Sequence, residues 1–122
     1  MDFSNLLQGK SIRARMYHHS TGNFLLPIKR TSSDIILITG LHTLYAKQLR
    51  DQLDLKIFLD MDEKLKNFLK IKRDKEKRGY NEETIIKNID KRKPDYLDFI
   101  EPQKNYADII FKIIPINFNK KT

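Results

Sequence analysis

Three short apolar runs, "IILI" at 35–38, "IFL" at 57–59 and "IIFKIIPI" at 109–116, are separated by stretches with helical spacing or dense charge. Runs apolar at every position, not at every second one, suit strands covered on both faces, as in a parallel sheet. The first ends in Gly40 and is followed by "LHTLYAKQLRDQL", where Leu41, Leu44, Tyr45 and Leu49 share one helical face. Strands are therefore expected near 34–40, 55–61 and 107–116, alternating with helices: an α/β grammar. A chain of 122 residues suits one domain with a modest core.

Local signals divide the rest. "DFSNLLQG" at 2–9 reads as a short helical turn ending at Gly9, and 10–33 as mostly irregular, punctuated by "STGN" and Pro27. Asp60, with Glu63 three residues on, reads as the cap of a helix that buries Leu65, Phe68 and Leu69 and stops at Gly79. Asn81 caps a further helix with Ile85, Ile86 and Ile89 on one face, and Pro94 is read as the start of another. Phe99, Tyr106, Phe111 and Phe118 read as core and strand residues.

The formal net charge of +8 favours anionic partners, such as phosphorylated metabolites, nucleic acid or anionic lipid. Most of it lies between Lys64 and Arg78, which taken by itself is a solvated helix face. Aromatic residues are not interleaved with that run and it carries no nucleic-acid-binding motif, so nucleic acid is not the expected partner. No apolar run approaches membrane-spanning length, and "MDFSNLLQGK" lacks a basic segment followed by an apolar one. The chain has no cysteine, which excludes disulfides and thiolate metal sites and accords with a cytoplasmic location. His18, His19 and His42 have no carboxylate at ligand spacing, so no metal site is assigned.

Four segments occur together in a familiar order: "YHHSTGNF", "DIILITGLHTLY", "LDLKIFLDMDEKLKNFLKIKRDKEKRGY" and "KRKPDYLDFIEPQKNYADIIFKIIP". In content and spacing they resemble the phosphoribulokinase/uridine kinase family, most of all its plant- and cyanobacterial-type phosphoribulokinases, over residues 6–116. The resemblance implies a doubly wound parallel sheet and transfer of the γ-phosphate of ATP to a sugar or nucleoside hydroxyl. It also implies a lid helix over 62–79 and an acceptor loop over 10–33. By the family's R-D-x-x-x-R-G motif, Arg73 and Arg78 would bind phosphate, with Asp74 and Lys70 as the catalytic candidates. Tyr17 and His19 match the family's tyrosine-x-histidine acceptor loop and would bind the substrate. Positions 70 and 74 are one turn apart, so their ammonium and carboxylate can be presented together. The planar fork of arginine suits a phosphate better than lysine does.

The departures point elsewhere. The family's G-x-x-x-x-G-K-[ST] loop, which holds the ATP phosphates, has no counterpart among the glycines at 9, 22, 40 and 79. Thr39 stands where the family has a magnesium-binding acid, and a neutral hydroxyl is a much weaker ligand for a hard cation. The family's proposed aspartate base has no counterpart either, since His18 follows Tyr17. The expected fold is thus a partial P-loop-kinase-like parallel sheet with flanking helices, lacking the P-loop strand and helix. ATP and Mg belong to the family, and no cofactor is expected for this chain alone. Two functions stay open. One is the acceptor-and-lid portion of a small-molecule kinase, inactive by itself; the other is a non-catalytic regulatory or sugar-phosphate-binding module. The expected partners are a phosphorylated small molecule or anion, and either a second copy or another chain supplying the missing strand.

Overall fold

The computed structural model describes residues 3–18 and 20–116, which fall into two compact units, Met1–Gly40 and Leu41–Thr122. The first unit opens with a single helical turn, α1 (Phe3–Leu7), closed by Gly9 at φ 77°. Segment 10–33, expected to be irregular, instead holds two small antiparallel pairs. Strand β1 (Ile12–Ala14) pairs with β4 (Ile28–Arg30), Ile12 opposite Arg30. Between them, β2 (Tyr17–His18) pairs with β3 (Asn23–Phe24), Tyr17 opposite Phe24. Gly22, at φ 70°, closes the turn by donating its N–H to the His18 carbonyl at 2.9 Å. The Tyr17 and Phe24 rings meet edge to face, 5.4 Å apart.

The strand expected at 34–40 does not form. Residues 34–40 are non-regular, with Ile35 and Leu37 86% and 84% exposed. The reason is cooperative. A strand apolar on both faces is stable only with neighbours to accept its hydrogen bonds, and none of the described strands pairs with this segment. The amphipathic stretch 41–53 likewise condenses to one helical turn, α2 (Lys47–Arg50), preceded by turns.

In the second unit, β5 (Ile57–Met61) and β6 (Ile109–Ile113) form the expected parallel pair, Ile57 beside Ile109 and Met61 beside Ile113. Asp108 braces its start, accepting the Lys56 N–H at 2.8 Å and pairing with the Lys56 ammonium at 3.2 Å. The helical layer is α3 (Glu63–Arg78) and α4 (Glu82–Asp95). Asp62, not Asp60, caps α3, its carboxylate accepting the Leu65 N–H at 3.1 Å. The strand runs two residues further than the capping pattern implies because the Asp62 N–H still donates to the Ile113 carbonyl. Gly79 ends α3 at φ 67°, a left-handed conformation open to glycine at no steric cost. Asn81 caps α4 by accepting the Thr84 N–H at 2.8 Å.

Pro94 lies inside α4 and does not start a helix. Its missing N–H falls in the last turn, after which the backbone widens into a π-helical turn (Tyr96–Ile100) and then tightens into a 3-10 turn (Glu101–Tyr106). The core gathers Leu44, Leu49, Phe58, Ile85 and Ile100. Phe68 and Leu69, expected inside, are half exposed, whereas Asp74 is the one buried residue of α3. Buried Gln103 ties the 41–44 turn to this core. It donates to the carbonyls of Leu41 (2.9 Å) and Phe99 (2.8 Å) and accepts the Leu44 N–H (2.9 Å).

Candidate phosphate-binding site

Helix α3 turns one polar face inward, and Asp74 is its centre. Only 5% exposed, Asp74 accepts the Arg73 Nε–H at 2.9 Å, with a second Arg73 nitrogen also 2.9 Å from the same oxygen. Arg78, one turn on, reaches that oxygen at 3.4 Å. Both arginine side chains stay nearly half exposed, at 48% and 43%. A buried carboxylate thus holds two guanidinium groups whose side chains are each nearly half exposed.

Lys70, one turn before Asp74, lines a cleft of about 760 Å³ in the second unit. Burial pushes its pKa down, and the Arg92 guanidinium on α4 pushes it the same way. Asp74 opposes them, while Arg73 and Arg78 add to the depression. Three guanidinium groups thus act on Lys70 against the Asp74 carboxylate, in a cleft that is also lined by Asp60, Glu63, Asp90, Asp95 and Glu101.

The cleft reaches the C-terminal end of β5, where Asp60, Glu101 and Lys104 form a second polar group. The Lys104 ammonium lies 2.7 Å from Glu101 and 3.1 Å from Asp60. Its bond to Glu101 raises the Lys104 pKa despite burial, with Asp60 reinforcing it. Burial disfavours ionised Asp60, but Lys104, the Met61 N–H and Lys112 hold its carboxyl below the usual range. The same ammonium lowers Glu101, helped by the Tyr96 hydroxyl. Burial and the Glu101 carboxylate push the Tyr96 phenol up to about 12, so it is a hydrogen-bond donor at neutral pH. Lys66 sits over the Tyr96 ring, 3.9 Å from its centroid.

Of the six residues singled out in the sequence, Lys70, Arg73, Asp74 and Arg78 come together on α3. Tyr17 belongs to the first unit, in the β2–β3 hairpin, where the His18 Nδ1 lies 3.0 Å from Ser20 Oγ and 3.1 Å from Thr21 Oγ1. His19 and Phe118 lie outside the described residues. Sequence reasoning missed Arg92 and the Asp60–Lys104–Glu101 group. Arg92 follows Ile85 and Ile89 by seven and three residues, which places it on the same side of α4 as those isoleucines, its own side chain exposed.

Among the described residues, no three His, Asp or Glu side chains gather as metal ligands would. Likewise, no helix among them is long and apolar enough to cross a membrane.

A parallel strand pair with flanking helices, and a cleft at the carboxyl end of a strand closed by a basic helix, defines an α/β domain of the P-loop kinase type, here in part. The family model for the phosphoribulokinase/uridine kinase family matches residues 1–119, and the chain belongs to that family. It is 40% identical to the phosphoribulokinase of Synechocystis sp. over 110 residues, covering 90% of this chain and 33% of that protein. With the chloroplastic phosphoribulokinase of Chlamydomonas reinhardtii the identity is 41%, covering 90% and 29%. With the uridine kinase of Streptococcus thermophilus it is 33%, covering 88% and 52%. The chain thus spans about a third or less of the phosphoribulokinases it matches.

Proposed function

We propose that this chain is the acceptor-and-lid portion of an ATP-dependent kinase acting on a sugar phosphate or nucleoside. In this reading Arg73 and Arg78 clasp a phosphate, and buried Asp74 sets their orientation. Lys70 supplies a partly desolvated ammonium beside them. The observation that carries the reading is the buried carboxylate holding two half-exposed arginines, with Lys70 one turn before it on the same helix. Tyr17, in the acceptor loop, is assigned to the substrate by family likeness. These 122 residues hold no glycine-rich phosphate loop, so they bind the acceptor and do not turn over ATP by themselves.

A second reading rests on one residue. Thr39 cannot replace a magnesium-binding acid, and this favours a non-catalytic module that keeps the sugar-phosphate site. Both readings require the same anion site. Titration calorimetry with ribulose 5-phosphate is expected to show saturable binding, weakened by added salt because exposed charges are screened over about 8–10 Å. Arg73→Ala is expected to weaken it by about 1.5–3 kcal/mol, the range for a hydrogen bond to a charged group. Equal affinity in the wild type and Arg73→Ala removes the assignment. ATP-dependent turnover by the chain alone, lost in Lys70→Ala/Asp74→Ala, contradicts its inactivity.

A further inference from the structure

Every ion pair among the described residues lies in the second unit. The first unit is different. Between residues 3 and 40 it carries five basic side chains, Lys10, Arg13, Arg15, Lys29 and Arg30, against a single acid, Asp34. Lys10 donates to the Gln8 side-chain oxygen and Arg30 to the Met16 sulfur. Arg13, Arg15 and Lys29 meet no carboxylate among the described residues.

The register sets Arg13 directly opposite Lys29 across the β1–β4 pair. Opposed residues share a face, with Cβ atoms about 4.5–5.5 Å apart, and like charges placed so destabilise the pairing. Along β1 exposure alternates: Ile12 and Ala14 are half-buried, whereas Arg13 and, just past the strand, Arg15 are exposed. The two arginines therefore follow each other on the solvent side, about 6.6 Å apart at strand spacing. Further along the same hairpin Phe24 is 65% exposed, its ring packed edge to face with that of Tyr17. Residues 20–31, which supply the returning strand, are all exposed. The hairpin thus keeps three unneutralised cations and an aromatic ring in solvent, at a cost to its own stability.

We propose that this hairpin binds single-stranded nucleic acid, with Arg13, Arg15 and Lys29 on successive phosphates and Phe24 stacked on a base. Charge complementarity selects a polyanion, because a single phosphate would leave part of the cation row unneutralised. The aromatic ring selects a single strand, since stacking needs an unpaired base, and aromatic and basic residues interleave here as they do not on α3. An anionic lipid surface fits less well. The hairpin turns at Ser20, Thr21, Gly22 and Asn23, so an arm entering lipid would lead with polar groups. The inference uses no residue of α3 and does not rest on the phosphate site there.

The test is a fluorescence-anisotropy titration of the 122-residue chain into a labelled oligothymidylate of about 15 nucleotides, repeated over a series of salt concentrations. Saturable binding is expected, with log K falling against log salt at a slope of about −2, from three phosphate contacts at about 0.7 each. Arg13→Ala/Lys29→Ala is expected to reduce the slope to below about 1 in magnitude, while the hairpin itself becomes no less stable because the opposed charges are gone. Phe24→Ala is expected to weaken binding by about tenfold without changing the slope. Lys64→Ala/Lys72→Ala removes the same charge from exposed positions of α3 and is expected to change affinity by less than about twofold. Equal losses in the two double variants would show a mere effect of net charge and overturn the proposal. So would binding to phosphatidylserine vesicles, dependent on Arg13 and Lys29, without binding to the oligonucleotide. The wild type alone decides the matter should a variant fail to fold: its β1 and β4 amide resonances are expected to shift with oligonucleotide, and shifts confined to α3 refute the site.

Discussion

Replacing Asp74 with alanine removes the single oxygen that Arg73 meets at 2.9 Å and Arg78 at 3.4 Å. Deleting one partner of a fully buried ion pair costs about 3–5 kcal/mol, because the other charge is left without compensation. That figure is too large here: both arginines are nearly half exposed and rehydrate when released. A hydrogen bond to a charged group, about 1.5–3 kcal/mol, is the better measure for Arg73. The longer contact to Arg78 resembles a helical i,i+4 pair and adds only about 0.3–0.5 kcal/mol. Alanine recovers roughly 0.5 kcal/mol through its greater helix propensity. The expected net loss is about 1.5–3 kcal/mol, read as a lower urea midpoint with unchanged denaturant slope. A double-mutant cycle with Arg73→Ala is expected to recover most of it as coupling energy, whereas Arg78→Ala recovers little. A loss below about 0.5 kcal/mol would place Asp74 among ordinary surface ion pairs and refute its role as the anchor of the arginines.

Gln103→Leu leaves the Leu44 N–H and the Leu41 and Phe99 carbonyls without their partner, at about 1–3 kcal/mol for each group kept from water. An unchanged urea midpoint would show that the 41–44 turn is not held by this amide. Tyr96 gives a pH signature. The phenol ionises near 10.0 in the unfolded chain but at about 12 in the fold, so the stability that it contributes is complete below pH 10 and declines as pH rises toward 12. Tyr96→Phe is expected to cost about 1 kcal/mol at pH 7, through the lost bond to Glu101, with the gap to wild type closing between pH 10 and 12. A gap that stays constant over that window contradicts the assigned environment.

What the sequence revealed and what it concealed divide along physical lines. The helix boundaries at Gly79 and Asn81 were legible because capping is local: a left-handed glycine and a side chain bonding to the third residue on involve no distant partner. The cap at Asp62 was missed in favour of Asp60, since where β5 ends depends on β6, some fifty residues away. The apolar run 35–38 shows the opposite failure. Its pattern states what a strand there would need, but not whether a neighbouring strand exists. At the candidate site, the Lys70–Asp74 spacing put two charges on one helical face, as helix geometry requires. It did not show that Asp74 is occupied by both arginines, because Arg73 reaches a carboxylate one residue away by folding its own side chain back. Lys104 was invisible as a site residue for a related reason: its two carboxylate partners sit on different elements, Asp60 on β5 and Glu101 on the 3-10 turn.

The central claim is that α3 presents its two arginines to a phosphate ester, and the most direct measurement watches those arginines. In a 15N NMR titration of the chain with ribulose 5-phosphate, the Nε–Hε resonances of Arg73 and Arg78 are expected to shift together and saturate. Both shifts should be lost in Asp74→Asn, which removes the charge that orients them. Resonances that stay in place through the titration, or that move equally with and without the Asp74 carboxylate, contradict the account.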